Sequence, residues 1–211
     1  ASDPNNYRPI SLTCICCKVM ESIVKEQMLQ FLLRTNKITK QQHGFLANHS
    51  TCTQLIECTN DWSLSLNAKS SVDVVYIDFR KAFDSVVHSK LLFKLESVGI
   101  CGKLLLWISE LLSGRSQVVT VGDSVSSSID TISGVPQGSV LGPLLFLVFI
   151  DDLCYIFGKE TQIKLFADDA KIYMVVDNIV DHDRLQRGLD ELSHWADKWQ
   201  LSVSVPKVFC P

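Results

Sequence analysis

The stretch Val74-Val-Tyr-Ile-Asp-Phe-Arg-Lys-Ala-Phe-Asp84 decides the fold. It opens in a largely apolar, β-branched run from Val72 to Ile77, the composition of a strand, and Asp78 stands where that strand ends. Ninety residues on, Leu165-Phe-Ala-Asp-Asp-Ala170 carries a second acidic element between Ile163-Lys-Leu-Phe166 and Ile172-Tyr-Met-Val-Val176. Two apolar runs so closely joined predict a tight hairpin with Asp168-Asp169 at its tip. A strand end and a hairpin tip can converge, and three convergent carboxylates repel one another unless hard cations take oxygen ligands from them and from substrate phosphates. Two such ions about 4 Å apart activate an attacking oxygen and stabilise a leaving one, so the pattern points to phosphoryl transfer. Aspartates after strands also cap helices and close turns, so it is the combination of the two elements that carries this reading.

Outward from this pair, the spacing of Val19, Met20, Ile23, Val24, Met28, Phe31 and Leu32 predicts a helix over Lys18–Leu33, and a second amphipathic stretch runs from Thr51 to Leu66. Beyond Asp78, helices are expected over Ser89–Val98 and Gly102–Leu112, then a strand pair, Ser116–Val121 with Ser126–Ile132, turned at Gly122-Asp123. Ser133-Gly-Val-Pro-Gln-Gly-Ser-Val-Leu-Gly-Pro143 reads as a loop that brings bare backbone close to something, leading into an apolar helix over Leu141–Tyr155. A last helix, Asp181–Trp199, carries Leu185, Leu189, Leu192, Trp195 and Trp199 on one stripe and is expected to pack by it. Strands and helices mix without strict alternation, which predicts an α+β fold with a mainly antiparallel sheet.

At 211 residues and 46% hydrophobic, the chain can bury a substantial core. The longest apolar run, Val140–Ile150, is too short to cross a bilayer and is closed by Asp151-Asp152, so no membrane association is expected. The opening Ala1-Ser-Asp-Pro-Asn-Asn shows no signal peptide and reads as part of something longer. Eight scattered cysteines predict small packing residues in a reducing, intracellular setting rather than a disulfide framework or, for Cys14-Ile-Cys-Cys17, a zinc site. The net charge of −3 divides unevenly: residues 1–71 carry seven Lys/Arg against five Asp/Glu, and the remainder thirteen against eighteen.

In order, the chain shows Tyr7-Arg-Pro-Ile-Ser-Leu12, Gln42-His-Gly-Phe45, the Asp78 block ending Ala82-Phe-Asp84, Gly134-Val-Pro-Gln-Gly-Ser-Val-Leu-Gly-Pro143 and Phe166-Ala-Asp-Asp169. Five such motifs in this order resemble the reverse transcriptase domain of non-LTR (LINE-type) retrotransposons, most of all the jockey and chicken-repeat groups. The resemblance implies a right-hand polymerase with fingers at residues 1–71 and palm at 72–211, the palm a mainly antiparallel sheet backed by helices, and the thumb missing. It implies an RNA-directed DNA polymerase that extends a DNA 3′-hydroxyl on an RNA template with dNTPs and two Mg²⁺ ions, Mn²⁺ being a possible substitute. A DNA primer or target, an endonuclease domain in the full-length element, and work in cytoplasm and nucleus belong to the same expectation.

Residue by residue, the resemblance makes Asp78 and Asp168 principal metal ligands, with Asp169 beside them and the carbonyl of Phe79 lending an oxygen. It places Phe83 beneath the sugar as a deoxyribose gate; a core phenylalanine is the plainer alternative. Gln137 and Gly138 would line the incoming nucleotide, where glycine permits close approach and an amide can hydrogen-bond. Arg8, Arg80 and Lys81 would face phosphate, or else be solvated surface charges. Lys207, in Trp199-Gln-Leu-Ser-Val-Ser-Val-Pro-Lys207, would act as a general acid toward pyrophosphate, with Ser204 near the position where the family has Asn. Asp84 is expected to hold local hydrogen bonds and Asp151-Asp152 to mark a helix exit, while His43 and His49 lack the partners of a triad. The rival reading is a catalytically inert nucleic-acid-binding fragment of a mobile-element remnant; a nuclease using the same carboxylates fits the Pro136-Gln-Gly138 loop poorly.

Overall fold

The apolar runs at Val72–Ile77 and on both sides of Asp168 build the central sheet. The structure, a computed structural model, describes residues 10–204. In chain order it runs α1 (Ile15–Arg34), α2 (Thr51–Asn67), β1 (Val72–Ile77), α3 (His88–Ser97), α4 (Gly102–Leu112), β2 (Ser116–Gln117), β3 (Thr120–Val121), β4 (Ser124–Val125), β5 (Ile129–Asp130), α5 (Gly142–Ile150), β6 (Gln162–Phe166), β7 (Asp169–Val175) and α6 (Ile179–Trp199). The main sheet has the order β1-β7-β6, antiparallel throughout.

Register assigns each strand residue a face. Val75 lies opposite Ile172, Ile77 opposite Ala170, and these share a face with Ile163 and Leu165, all buried against the helices. The other face carries Val74 and Tyr76 with Lys164, Lys171 and Tyr173. Behind the apolar face lies α5, buried from Leu144 to Ile150, with α3 packed against it. Helix α6 packs by Leu185, Leu192, Trp195 and Trp199, the stripe its spacing predicts. It is capped at its start by Asn178 and ends on Gln200 in the left-handed region. Among the described residues, no helix is long and apolar enough to cross a membrane.

The polar face decides which side of α2 meets the sheet. Helix α2 turns its polar side to the sheet: Lys171 Nζ donates to Gln54 Oε1 at 2.5 Å, Lys164 Nζ to Glu57 Oε2 at 2.6 Å and Tyr173 OH to Asp61 Oδ2 at 2.6 Å. Its Leu55, Ile56, Leu64 and Leu66 are exposed instead. Helix α1 begins three residues earlier than its apolar spacing suggests, at a Cys14 cap whose Sγ accepts from Cys17 N. It buries Glu21, Met28 and Leu32, while Val19, Met20 and Ile23 face outward.

Three smaller corrections follow from local geometry. The predicted 116–132 strand pair is two short ladders, β2 with β5 and β3 with β4, because residues 126–128 hold one residue more than 118–119 opposite them. Ser126 fills that offset by accepting Val119 N on its Oγ and donating its own N to Val119 O. The apolar helix after Pro143 stops at Ile150 and tightens into a 3₁₀ turn over Asp151–Tyr155. Of the described cysteines, all free, Cys14, Cys16, Cys17, Cys52 and Cys101 are exposed, Cys154 is half-buried and Cys58 alone is buried.

One charge lies deep in the core. Lys94 of α3 is 4% exposed and its Nζ sits 3.7 Å from the Trp199 ring centre, 4.7 Å from that of Phe149 and 5.0 Å from that of Trp195. It donates to Phe149 O and to Asp152 Oδ1, and Trp195 Nε1 donates to the same oxygen at 2.9 Å. Burial lowers its pKa to about 8.

Candidate active site

The sheet brings the two acidic elements to one end. With Phe166 opposite Asp169, the hairpin turn consists of Ala167 and Asp168 alone. With Ile77 opposite Ala170, the next residue of that strand, Asp78, stands at the level of Asp169. By strand alternation Asp78 and Asp169 continue the polar face of Tyr76 and Lys171. Asp78 and Asp168 are half-buried, and Asp169 is exposed.

A return segment closes the outer edge of β1. Arg80 N donates to Ser202 O and Ser204 N donates to Asp78 O, each at 2.8 Å, with Phe79 opposite Val203 between them. That is the pattern of a non-hydrogen-bonded antiparallel pair, so the N–H and C=O of Phe79 point the other way, toward the hairpin. The carbonyl of Phe79 is therefore on the side of β1 that faces the hairpin. Its ring is buried against Trp195, centroids 6.1 Å apart.

Beyond the strand the chain turns sharply at Lys81, whose φ is 46°, and its carbonyl collects the N–H groups of Asp84 and Ser85. Arg80 and Lys81 are exposed. Phe83 stacks on Phe146 of α5, centroids 4.3 Å apart and planes 17° apart, and Phe45 meets its other side edge-on at 6.1 Å. It is half-buried and packs against the core.

The loop after Ser133 runs along this segment. Val135 N donates to Phe83 O and Gly134 N to Val86 O, and a Cβ at Gly134, whose φ is 88°, would lie 2.9 Å from Asp84 O. Ser133 Oγ donates to Asp84 O, and Gln137 Nε2 donates to Asp84 Oδ1 at 2.7 Å. Asp84 thus ties its turn to this distant loop rather than holding only local bonds, and the Gln137 amide nitrogen is committed to it. Gly138 is exposed with φ 96°, and a Cβ there would come 2.8 Å from Ser11 O. Arg8 and Lys207 lie outside the described residues.

Two residues given no role by the motifs hold this arrangement. Glu21 of α1, 1% exposed, accepts Val140 N at 2.7 Å and Leu141 N at 2.9 Å on one carboxylate oxygen, capping the start of α5. An acidic residue on the same stripe as Val24, Met28 and Leu32 is its signal in the sequence. Gln42, also 1% exposed, reaches from the segment before α2 to the hairpin tip, where its Oε1 accepts Ala167 N at 2.9 Å. His43 is buried beside it, with Nδ1 3.2 Å from Thr53 Oγ1 and Nε2 3.6 Å from Glu57, and burial holds its imidazole below the usual histidine range. His49 is exposed, its Nδ1 3.0 Å from Ala47 O.

Residues 2–210 match the sequence profile of the family described as reverse transcriptase (RNA-dependent DNA polymerase). The chain belongs to the reverse transcriptase family. It is 34% identical over 213 residues to the RNA-directed DNA polymerase from mobile element jockey of Drosophila funebris, a match covering 97% of this chain and 23% of that protein. It is 30% identical over 221 residues to the probable RNA-directed DNA polymerase from transposon BS of Drosophila melanogaster, covering 99% of this chain and 24% of that one. The chain thus spans about a quarter of the length of these curated relatives. In three dimensions it resembles telomerase from Candida tropicalis, solved with a fragment of telomeric RNA, at a TM-score of 0.67 with 11% identity, over 89% of this chain and 33% of that one. Telomerase from Candida albicans gives 0.62 at 14% identity, over 92% and 34%. At such identities the likeness is one of fold, and that fold is the right-hand polymerase.

Reverse transcriptases use divalent metal ions, and the donors here have the right chemistry: carboxylate and carbonyl oxygens at one sheet end. Among the described residues, no three His, Cys, Asp or Glu side chains form a ready-made group of ligands. Small hard cations are commonly bound through one or two carboxylates plus substrate phosphates, so a closed protein cage is not what such a site requires.

Proposed function

We propose that this chain carries the fingers, residues 1–71, and the palm, residues 72–211, of a non-LTR retrotransposon reverse transcriptase, which extends a DNA 3′-hydroxyl on an RNA template with dNTPs. The observation that carries this reading is the β1-β7-β6 register, which sets Asp78 beside the Ala167-Asp168 turn. Asp78 and Asp168, with Asp169 and the Phe79 carbonyl, would hold two Mg²⁺ ions, or Mn²⁺ in their place. When bound, such ions lower the pKa of the attacking hydroxyl and neutralise charge on the triphosphate and its leaving group.

The surrounding residues would do the rest of the work. The Phe83 ring, held flat on Phe146, makes a fixed wall that excludes a 2′-hydroxyl. Gln137 and Gly138 form the loop on which the incoming nucleotide rests, with Asp84 fixing the direction of the amide. Arg8, Arg80 and Lys81 would meet phosphate oxygens, and Lys207 would donate a proton to departing pyrophosphate. An endonuclease domain in the full-length element and a life divided between cytoplasm and nucleus complete the proposal.

Primer extension on an RNA template with dNTPs and Mg²⁺ or Mn²⁺ tests it, comparing this chain with Asp168→Ala. The expected result is extension that falls on the order of 10⁴-fold in the variant. Equal extension by both would sink the assignment of Asp168. Binding of template–primer by both without extension by either would favour the binding-fragment reading for this segment.

A further inference from the structure

The hairpin tip that carries Asp168 is not held by its own strands alone. Ala167, 4% exposed, has φ 56°, a left-handed conformation disfavoured for a residue with a Cβ and more often given to glycine in two-residue hairpins. Its N–H points out of the β6-β7 ladder and donates to Gln42 Oε1 at 2.9 Å. The same oxygen accepts Gly44 N at 2.7 Å, and two N–H donors on one atom fix which end of the amide is oxygen. Backbone bonds seat Gln42 there: His43 N donates to Leu165 O and Leu165 N to Gln41 O, each at 2.8 Å. Gly44 packs so closely that a Cβ would overlap Ala167 N.

We propose that Gln42 is a positioning residue for the polymerase reaction: by holding Ala167 in its left-handed conformation, it sets the direction in which the next residue, Asp168, presents its carboxylate. The proposal rests on the reverse transcriptase reading for its effect on rate, but not for its effect on the hairpin. Gln42 touches neither nucleotide nor metal ligand in this scheme; it acts through one backbone N–H. Its own Nε2 is buried and unpartnered, so what the side chain contributes here is its oxygen.

Gln42→Met keeps the volume and removes the acceptor. Adding Ala167→Gly to it removes the conformational penalty that the acceptor offsets. Two measurements are made on wild type, Gln42→Met and the double variant: amide hydrogen exchange over residues 163–170, and single-nucleotide kcat and KM for dNTP. The expected single-variant result is at least tenfold faster exchange at Ala167 with the flanking strands still protected. Its kcat should fall roughly 10²-fold while KM stays within about twofold, and the double variant should recover most of the kcat. Unchanged exchange at Ala167, or a kcat loss that glycine does not recover, would overturn the proposal. If wild type itself fails to extend primers, the polymerase reading fails, and the exchange data still decide whether Gln42 holds the tip.

Discussion

Asp151 shows how burial turns one carboxyl into a sensor of acidity. It sits in the 3₁₀ turn after α5, 8% exposed, accepting Thr39 N at 2.7 Å. Burial raises its pKa from 3.8 to about 6, with neighbouring Asp152 adding to the shift and the Thr39 N–H opposing it. In the folded chain the proton is therefore held more tightly than in the unfolded one. The stability this contributes is fully present below about pH 4 and is lost as pH rises through 6. The loss attributable to this group is about 3 kcal/mol, taking roughly 1.4 kcal/mol per pKa unit. Urea unfolding at pH 4, 5, 6 and 7 should show this slope in the wild type and a flatter one in Asp151→Asn. Parallel pH profiles for the two proteins would contradict the assignment. Lys94, nearby, has the opposite sense: with its pKa lowered to about 8, the unfolded chain binds the extra proton between pH 8 and 10.5.

At the scale of elements, one carboxylate ties α1 to the start of α5. Glu21 satisfies Val140 N and Leu141 N, two donors at the start of a helix whose interior is otherwise apolar. Glu21→Ala should cost about 2–4 kcal/mol, since one buried and one half-buried N–H lose a charged acceptor. Hydrogen exchange should locate the loss at Val140 and Leu141; a stability change with those amides still protected would argue for simple loss of packing. The helices themselves were legible in the sequence because apolar spacing is a local signal, though α6 begins at Ile179, two residues before the expected start, behind its Asn178 cap. The face that α6 buries was legible too, whereas the faces that α1 and α2 bury were not. That depends on what the neighbour offers, and the sheet offers α2 the polar set Lys164, Lys171 and Tyr173 rather than an apolar surface. The acidic tip was legible from the two apolar runs that close on it, whereas the Gln42 bond that holds it joins residues 125 positions apart and leaves no local trace.

Across the whole molecule, the site is assembled from segments far apart in the chain: the strand ending at Ile77, the hairpin, the loop bonded to Asp84, and the return segment at Ser202–Ser204. Ser204→Pro removes the N–H that donates to Asp78 O without adding bulk to the hairpin side. It should lower stability by about 1–2 kcal/mol and primer extension by roughly tenfold, read by urea unfolding and single-nucleotide incorporation. Ser202→Ala, which keeps the carbonyl that receives Arg80 N, should change neither. Identical behaviour of the two variants would remove the return segment from the support of Asp78.

That pairing of Asp78–Arg80 with Ser202–Ser204 also sets a timetable for synthesis. Strand β1 leaves the ribosome first, and its outer edge stays open until some 120 further residues have been added. At the usual 5–20 residues per second, that is roughly 6–25 s in which a strand edge beside the acidic end is available to other chains. A nascent chain interrupted between β7 and Ser202 would already hold its three aspartates, yet would expose a sticky edge in place of a finished site.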